Sequence, residues 1–519
     1  MSRTISKKAR TGTALRWAAV CGVVAIGLGV AAGELLAGFL SPSVSPVTAL
    51  GGVVIDAVPG WAKDLAVSLF GTGDKMFLIS TIAAVTVVLA AIAGILEFRR
   101  NGAGLALAVL AGAAGLAAVL TRAQAAPAAA IAPIAATIVA MLFLRLLIQR
   151  LETWRPGPDS AGMSLARRSF VQMLAGTAIA AVVAGTVTAI VRTAGTVASD
   201  FRRAVTLPAP AAPAEQIPKG AGLTLDGLEP LVTPNADFYR IDTALIPPAV
   251  NPQDWTLKVT GMVEREVQMD FATLLAKPMI ARYVTIACVS NEVGGDLIGN
   301  ALWLGWPIRE LLAMAGPKAG ADMVLSRSAD GWTAGTPLEA LTDNRDAILA
   351  VGMNGEPLPV EHGFPVRMIV PGLYGYVSAT KWLTELKVTR FADDEGYWVP
   401  RGWSDHGPIK TESRIDVPRD GGSVKSGTVQ FGGVAWAQHR GVSKVEVRVD
   451  GGAWHQATLA PGISTDTWYQ WQAGLELTAG SHEVQVRATD STGTAQTEAR
   501  AAPAPDGATG LHTIHVTAN

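Results

Sequence analysis

Up to about residue 200 the chain is dominated by five long apolar runs, at about 16–40, 76–96, 103–121, 126–148 and 170–191, almost free of charge. Each approaches the ~20 residues with which an α-helix crosses a bilayer core of roughly 30 Å, so five membrane-spanning helices are expected. Gly and Ala crowd these runs, which lets helices approach closely in lipid. A further stretch, 47–70, is broken by Asp56, Pro59, Lys63 and Asp64 and reads as an interfacial or re-entrant extracytoplasmic loop. Beyond it the period changes. Strand-like segments (Trp255–Val259, Tyr283–Ile286, Met323–Ser326, Val366–Val370) alternate with helical ones (Phe271–Ala276, Ile308–Ala315), which predicts a mixed α+β domain. From about 412 short alternating strands such as Lys444–Val449 and Glu483–Arg487 are separated by Gly/Asp turns, the pattern of an immunoglobulin-like β-sandwich.

Composition supports this division. Only 16% of the 519 residues are charged, against about 25% in ordinary soluble domains, and the deficit lies in the first 200. The expected organisation is a transmembrane region over 1–200, a Pro/Ala-rich extended linker over 201–222, an α+β domain over 223–408 and a β-sandwich over 409–519. A net charge of −1 gives no reason to expect nucleic acid as a partner. Two cysteines exclude a disulfide framework, a zinc ribbon or a CxxC redox pair.

Basic residues orient the spans. Arg3, Lys7, Lys8, Arg10 and Arg16 precede the first; Arg99 and Arg100 follow the second; Arg145, Arg150, Arg155, Arg167 and Arg168 lie around the loop between the fourth and fifth. The positive-inside rule then places the N-terminus in the cytoplasm and everything after about 195 outside, as a multi-pass cell-membrane protein. The run Arg167-Arg168-Ser169-Phe170-Val171-Gln172 enters the fifth span and looks like an internal twin-arginine export signal. The plain alternative is a pair of arginines anchoring a helix. All seven histidines lie at or beyond His362, so a membrane cytochrome with bis-histidine haem is excluded and no haem is expected.

Cys288 is the one cysteine of the second half, set in Cys288-Val289-Ser290-Asn291-Glu292 after an apolar strand. Alone, such a cysteine is more often buried and structural than a nucleophile or metal ligand. Its surroundings change that weighting. The run Ile298-Gly299-Asn300-Ala301-x-Trp303-x-Gly305-Trp306-Pro307-Ile308, then Leu358-Pro359-x-x-His362-Gly363-Phe364-Pro365-Val366-Arg367, then Val370-Pro371-Gly372-x-Tyr374-Gly375 and Lys381-Trp382-Leu383, resembles the molybdopterin domain of the sulfite oxidase family. The stretch with Trp436, Asp450, Trp454, Trp468 and Asp490 resembles the dimerisation domain appended in that family, so the resemblance implies a homodimer as one assembly. The resemblance covers about 225–519 and leaves the membrane half untouched.

The resemblance implies a molybdenum–molybdopterin cofactor, with Cys288 as catalytic residue and protein thiolate on the metal. It also implies cofactor binding by Asn235, Tyr239, Arg240, Ser328, His362, Arg367, Ser378, Thr380 and Lys381. A soft sulfur donor suits molybdenum, and Arg367 and Lys381 suit a phosphate. Each has a plainer reading: Arg240 as a local cap, Ser328 as a turn residue, His362 as a backbone partner. Arg367 stands in an apolar strand, where a charge without an anionic partner is costly.

One departure bears on substrate. Sulfite-oxidising relatives follow the cysteine with Cys-x-Gly-Asn-Arg; here Glu292 occupies the arginine's position, which disfavours a dianion. Arg240, Arg282 and Arg327 are the candidates to compensate. The expected function is a membrane-anchored extracytoplasmic oxidoreductase catalysing two-electron oxygen-atom transfer. Its expected partners are a small-molecule oxygen donor or acceptor, an external electron carrier and membrane lipid. Sulfite oxidation proper, a non-catalytic surface protein with a degenerate cofactor domain, and a transporter are the other readings.

Overall fold

The structure, a computed structural model, describes residues 2–40, 45–58, 74–122, 127–154, 163–193, 196–244 and 246–519. It divides into two units, the first comprising 1–197 with 243–249 and the second 198–242 with 250–519.

The first unit is helical: α1 (Ser2–Leu40), α2 (Pro46–Ala57), α3 (Asp74–Arg99), α4 (Ala103–Leu120), α5 (Ile131–Trp154) and α6 (Met163–Thr193). All but α2 are long and apolar enough to cross a membrane, and α1 packs against α3, α5 and α6. Small residues make the close approach. Gly22 and Gly94 face each other, and a Cβ on either would strike the other helix's backbone at Ala90 or Ala18. Two carboxylates in this apolar setting are spent on helix starts. Glu97 accepts from the amides of Gly102, Gly104 and Leu105 at 3.0–3.2 Å and pairs with Arg145 at 3.0 Å, and Glu34 accepts from Val47 N at 2.9 Å. The 47–70 stretch begins as α2, whose 12 residues fall short of a span; positions 59–70 lie outside the described residues, as does Arg155. Within the arginine run, Phe170 is buried against Trp154 at 5.1 Å and Trp17 at 5.7 Å, and Arg150 donates to Ser169 Oγ at 3.0 Å.

The second unit opens with α7 (Thr196–Ala204) and an extended arm. The arm is anchored to the lobe that follows it. Arg202 pairs with Glu356 at 2.7 Å and donates to the carbonyls of Pro357 and Leu358. Val205 and Leu207 pack on the core, and Ala211 and Ala212 bond to the strand at Met279–Ala281.

Two five-stranded sheets with short helices follow. One runs β2-β1-β10-β5-β6, from β1 (Thr256–Gly261), β2 (Val267–Asp270), β5 (Met323–Ser328), β6 (Thr333–Pro337) and β10 (Leu383–Thr389). The other runs β3-β4-β7-β8, from β3 (Ile280–Ala287), β4 (Ile298–Pro307), β7 (Ile348–Met353) and β8 (Glu356–Pro357), with β9 (Arg367–Ile369) pairing β7. β7 is buried at every position, so its sequence is a continuous apolar run. Leu257, Val259, Leu311, Leu349, Met368 and Leu386 share the core. This lobe is the predicted α+β domain.

The remaining strands form the predicted β-sandwich: β11 (Glu412–Val417), β13 (Gly427–Trp436), β17 (Tyr469–Leu477) and β16 (Thr458–Leu459) against β12 (Gly422–Val424), β19 (His512–Ala518), β18 (Gly480–Asp490), β14 (Val442–Val449) and β15 (His455–Gln456). Strict alternation along β18 sends Val484, Val486 and Ala488 inward, where they meet Phe431, Val445 and Trp471. The two lobes are joined at Thr285 on β3. Its amide donates to Asp466 O at 2.9 Å, its carbonyl accepts from Gln438 Nε2 at 3.4 Å, and its hydroxyl oxygen accepts from Trp468 N at 2.8 Å.

Candidate functional site

β3 delivers Cys288 at its C-terminal end, half-buried and followed by a turn. The turn is stitched from several sides. Cys288 N donates to Leu297 O at 2.9 Å, Asn291 N to Cys288 O at 3.1 Å, and Leu297 N to Asn291 Oδ1 at 2.8 Å. Ser290 Oγ lies 2.9 Å from Cys288 Sγ. Burial pushes the thiol up; the hydroxyl and amide of Ser290, then Lys381, act against that.

Arg367, on β9, is 3% exposed. Its Nη1 donates to His362 O at 3.1 Å and its Nη2 to Ala379 O at 3.4 Å, the guanidinium lies 5.1 Å over Trp303, and its Nε has no hydrogen-bond partner. No carboxylate pairs with it among the described residues. Burial lowers it to about 10, so it stays charged at neutral pH. Lys381 pairs with Asp242 at 3.1 Å, and Arg240 Nε reaches the same oxygen at 3.0 Å. Burial brings Lys381 down to about 8, against the pull of Asp242. His362 is held near 3 first by burial, then by Lys381 and Arg367, and is therefore neutral. Its Nε2 meets Asn235 O at 3.3 Å, while Nδ1 is buried and unpartnered. Tyr239 stacks on Phe238 at 5.3 Å; its phenol is pushed well up by burial and by Cys288 beside it.

Cys288, Tyr239, His362, Arg367 and Lys381 thus come together with Arg240 at the rim. The other expected site residues are placed differently. Ser328 is buried at the end of β5 and accepts from Asp330 N at 3.4 Å. The Ser378 hydroxyl donates to Leu373 O and Tyr374 O, Thr380 pairs with Ser326 Oγ at 2.7 Å, and Asn235 bonds to Asn354 and Met353 O. Those three side chains are engaged by the protein itself, leaving their backbone groups as what they can offer a ligand. Arg282 pairs with Asp346 at 2.6 Å and Arg327 with Glu385 at 3.3 Å, so both have carboxylate partners of their own. Glu292 is exposed.

Sequence reasoning passed over Ser290, Asp242 and the contact of Trp303 with Arg367. Ser290 follows the cysteine by two residues and Asp242 follows Arg240 by two, spacings that carry no period of their own.

Arg367 Nε, His362 Nδ1 and Asn291 Nδ2 are buried without partners, Arg240 and Lys381 share the carboxylate of Asp242, and a thiol stands in the same cluster. Buried polar groups are normally satisfied, so the unmet donors Arg367 Nε and Asn291 Nδ2 and the unmet acceptor His362 Nδ1 fit an anionic group with polar ring edges, and the thiol fits a soft metal.

Residues 244–398 match the family model of the oxidoreductase molybdopterin binding domain, and 412–486 that of the bacterial Ig domain. The mitochondrial sulfite oxidase of Homo sapiens is 29% identical over 307 residues, covering 50% of this chain and 55% of that one. The sulfite oxidase of Arabidopsis thaliana is 27% identical over 327 residues, covering 51% and 82%. This chain therefore spans about half the length of the human relative. Among solved structures, the sulfane dehydrogenase SoxCD of Paracoccus pantotrophus matches over 54% of this chain and 80% of that one, at 24% identity and a TM-score of 0.46. Residues 244–398 thus carry an oxidoreductase molybdopterin binding domain similar to that of the sulfite oxidases, with a bacterial Ig domain after that segment and five apolar helices before it.

Proposed function

We propose that this protein is a membrane-anchored enzyme that carries out two-electron oxygen-atom transfer outside the cytoplasm, XO + 2H⁺ + 2e⁻ ⇌ X + H₂O. The observation that carries the reading is Arg367, buried without a carboxylate partner in the same cluster as Cys288. In this reading Cys288 supplies the thiolate to molybdenum, and Arg367 and Lys381 hold the pterin phosphate. His362, kept neutral with its Nε2 proton on Asn235 O, accepts at its free Nδ1, and Tyr239 closes the site beside the sulfur. When bound, the group supplies the two-electron couple and the transferable oxygen. Cys21 is buried in α1 and Cys288 is committed, so no thiolate remains for a cluster. Electrons then pass to or from a separate carrier.

The substrate proposed is a small neutral oxo compound such as an S- or N-oxide. Glu292 follows the cysteine, and both Arg282 and Arg327 already have partners. Sulfite is the second reading, favoured by the homology to sulfite oxidases. Cys288→Ser should abolish dye-linked turnover of either class while the protein still inserts and folds. Full activity in that variant, or purified wild type without molybdenum, refutes the proposal; the latter leaves a non-catalytic surface protein.

The orientation follows from the basic clusters, with the catalytic half outside and Arg167-Arg168 as the export signal. Folding around a cofactor assembled in the cytoplasm before crossing is what that route serves. Replacing both arginines by lysine should trap the catalytic half inside, measured by protease protection in spheroplasts. Normal export of the lysine pair leaves Arg167 and Arg168 as helix anchors.

A further inference from the structure

Ser290 has a hydroxyl 2.9 Å from Cys288 Sγ and no other hydrogen-bond partner among the described residues. The turn that carries this hydroxyl is held in place by bonds that do not involve the sulfur. Asn291 N to Cys288 O closes the turn, Leu297 N to Asn291 Oδ1 ties its far side, and Gly295 N to Glu292 O at 2.8 Å tightens the loop between them. Either atom of the Ser290–Cys288 pair can donate while the sulfur carries a proton. Once the sulfur is a metal ligand it has none, and the hydroxyl must be the donor.

We propose that Ser290 is a positioning residue that donates its hydroxyl proton to the metal-bound thiolate of Cys288, fixing the sulfur's orientation and weakening it as an electron donor. The inference rests on the reading of Cys288 as the molybdenum ligand. A hydrogen bond to a ligand sulfur lowers the sulfur's lone pairs in energy, so the metal is reduced more readily and sulfur-to-metal charge transfer needs more energy. The turn geometry makes this the chain's own device: a residue without a hydroxyl at 290 removes the side-chain hydrogen bond to the sulfur.

The test compares wild type with Ser290→Ala and Ser290→Thr, purified as full-length protein, and uses Cys288→Ser to identify the sulfur-to-metal band. The readouts are molybdenum content, absorption spectrum and a dye-mediated reductive titration. In Ser290→Ala the band should move to longer wavelength, the midpoint potential should move negative, and turnover should change about tenfold. Ser290→Thr, which keeps the hydroxyl, should restore all three. Loss of metal in the alanine variant alone also supports the role; loss in both variants overturns it. A metal-replete alanine variant with the wild-type band and potential overturns this inference and leaves Cys288 as ligand. Wild type without molybdenum overturns the ligand reading and this inference together.

Discussion

Arg367 shows what a single residue can disclose. A guanidinium removed from water costs several kcal/mol unless an anion or a full set of acceptors replaces the solvent. Here two carbonyls and the face of Trp303 meet only part of that need. Such a charge is a cost to the cofactor-free chain and an asset to the loaded one. Arg367→Met keeps the length of the side chain and removes the charge. Without cofactor the variant should therefore be as stable as wild type or more stable, by about 1–4 kcal/mol, while its molybdenum content falls to background. A variant that unfolds earlier but still loads metal normally would contradict the role given to Arg367. Sequence alone pointed to this residue because an arginine inside an apolar strand breaks a pattern. Ser290 and Asp242 break none, and only the folded turn shows what they touch.

At the scale of elements, periodicity carried most of the information. The five long apolar helices and the alternation along β18 were legible because each repeats one physical requirement many times, whereas β7, equally apolar, is too short to announce itself. Polar positions inside these elements were not legible to the same degree. Ser378 and Thr380 stand in the segment leading to Lys381, yet their hydroxyls satisfy neighbouring carbonyl and hydroxyl groups. A short polar side chain beside a site serves the backbone as readily as a ligand, and nothing in its spacing separates the two. Glu34 and Glu97 have the same ambiguity in the helical unit. Carboxylates within apolar helices carry no spacing that tells their role, and here each cancels unpaired amides at the start of the next helix. The arm over 205–222 has the composition of a spacer, and Ala212 within it makes a single bridge to Ile280.

At the scale of the catalytic half, the lobes meet over buried polar groups. Glu412, on β11, is 4% exposed and stands opposite Trp436 in the ladder, and Glu412 Oε1 and Trp436 Nε1 both lack partners. Burial raises Glu412 to about 8, with Lys410 opposing. Below the carboxyl's ordinary pKa of 4.5, folded and unfolded chains both hold this proton. Between there and about 8 only the folded chain holds it, so stability falls as pH rises, by up to about 1.4 kcal/mol per pH unit, and levels off above. Glu412→Gln should remove that slope. Its unfolding midpoint should gain on wild type from pH 5 to pH 8, and parallel curves would show that Glu412 titrates normally. The same seam has a consequence for how such proteins are assembled in evolution or in the laboratory. β3 is the outer strand of its sheet. Ala212 bonds beside its start and Asp466–Trp468 beside its end, just ahead of Cys288. An uncovered strand edge invites pairing with other chains. The α+β lobe is therefore not an exchangeable cassette. A graft that takes it without the arm and the 464–468 loop exports an adhesive edge along with the chemistry.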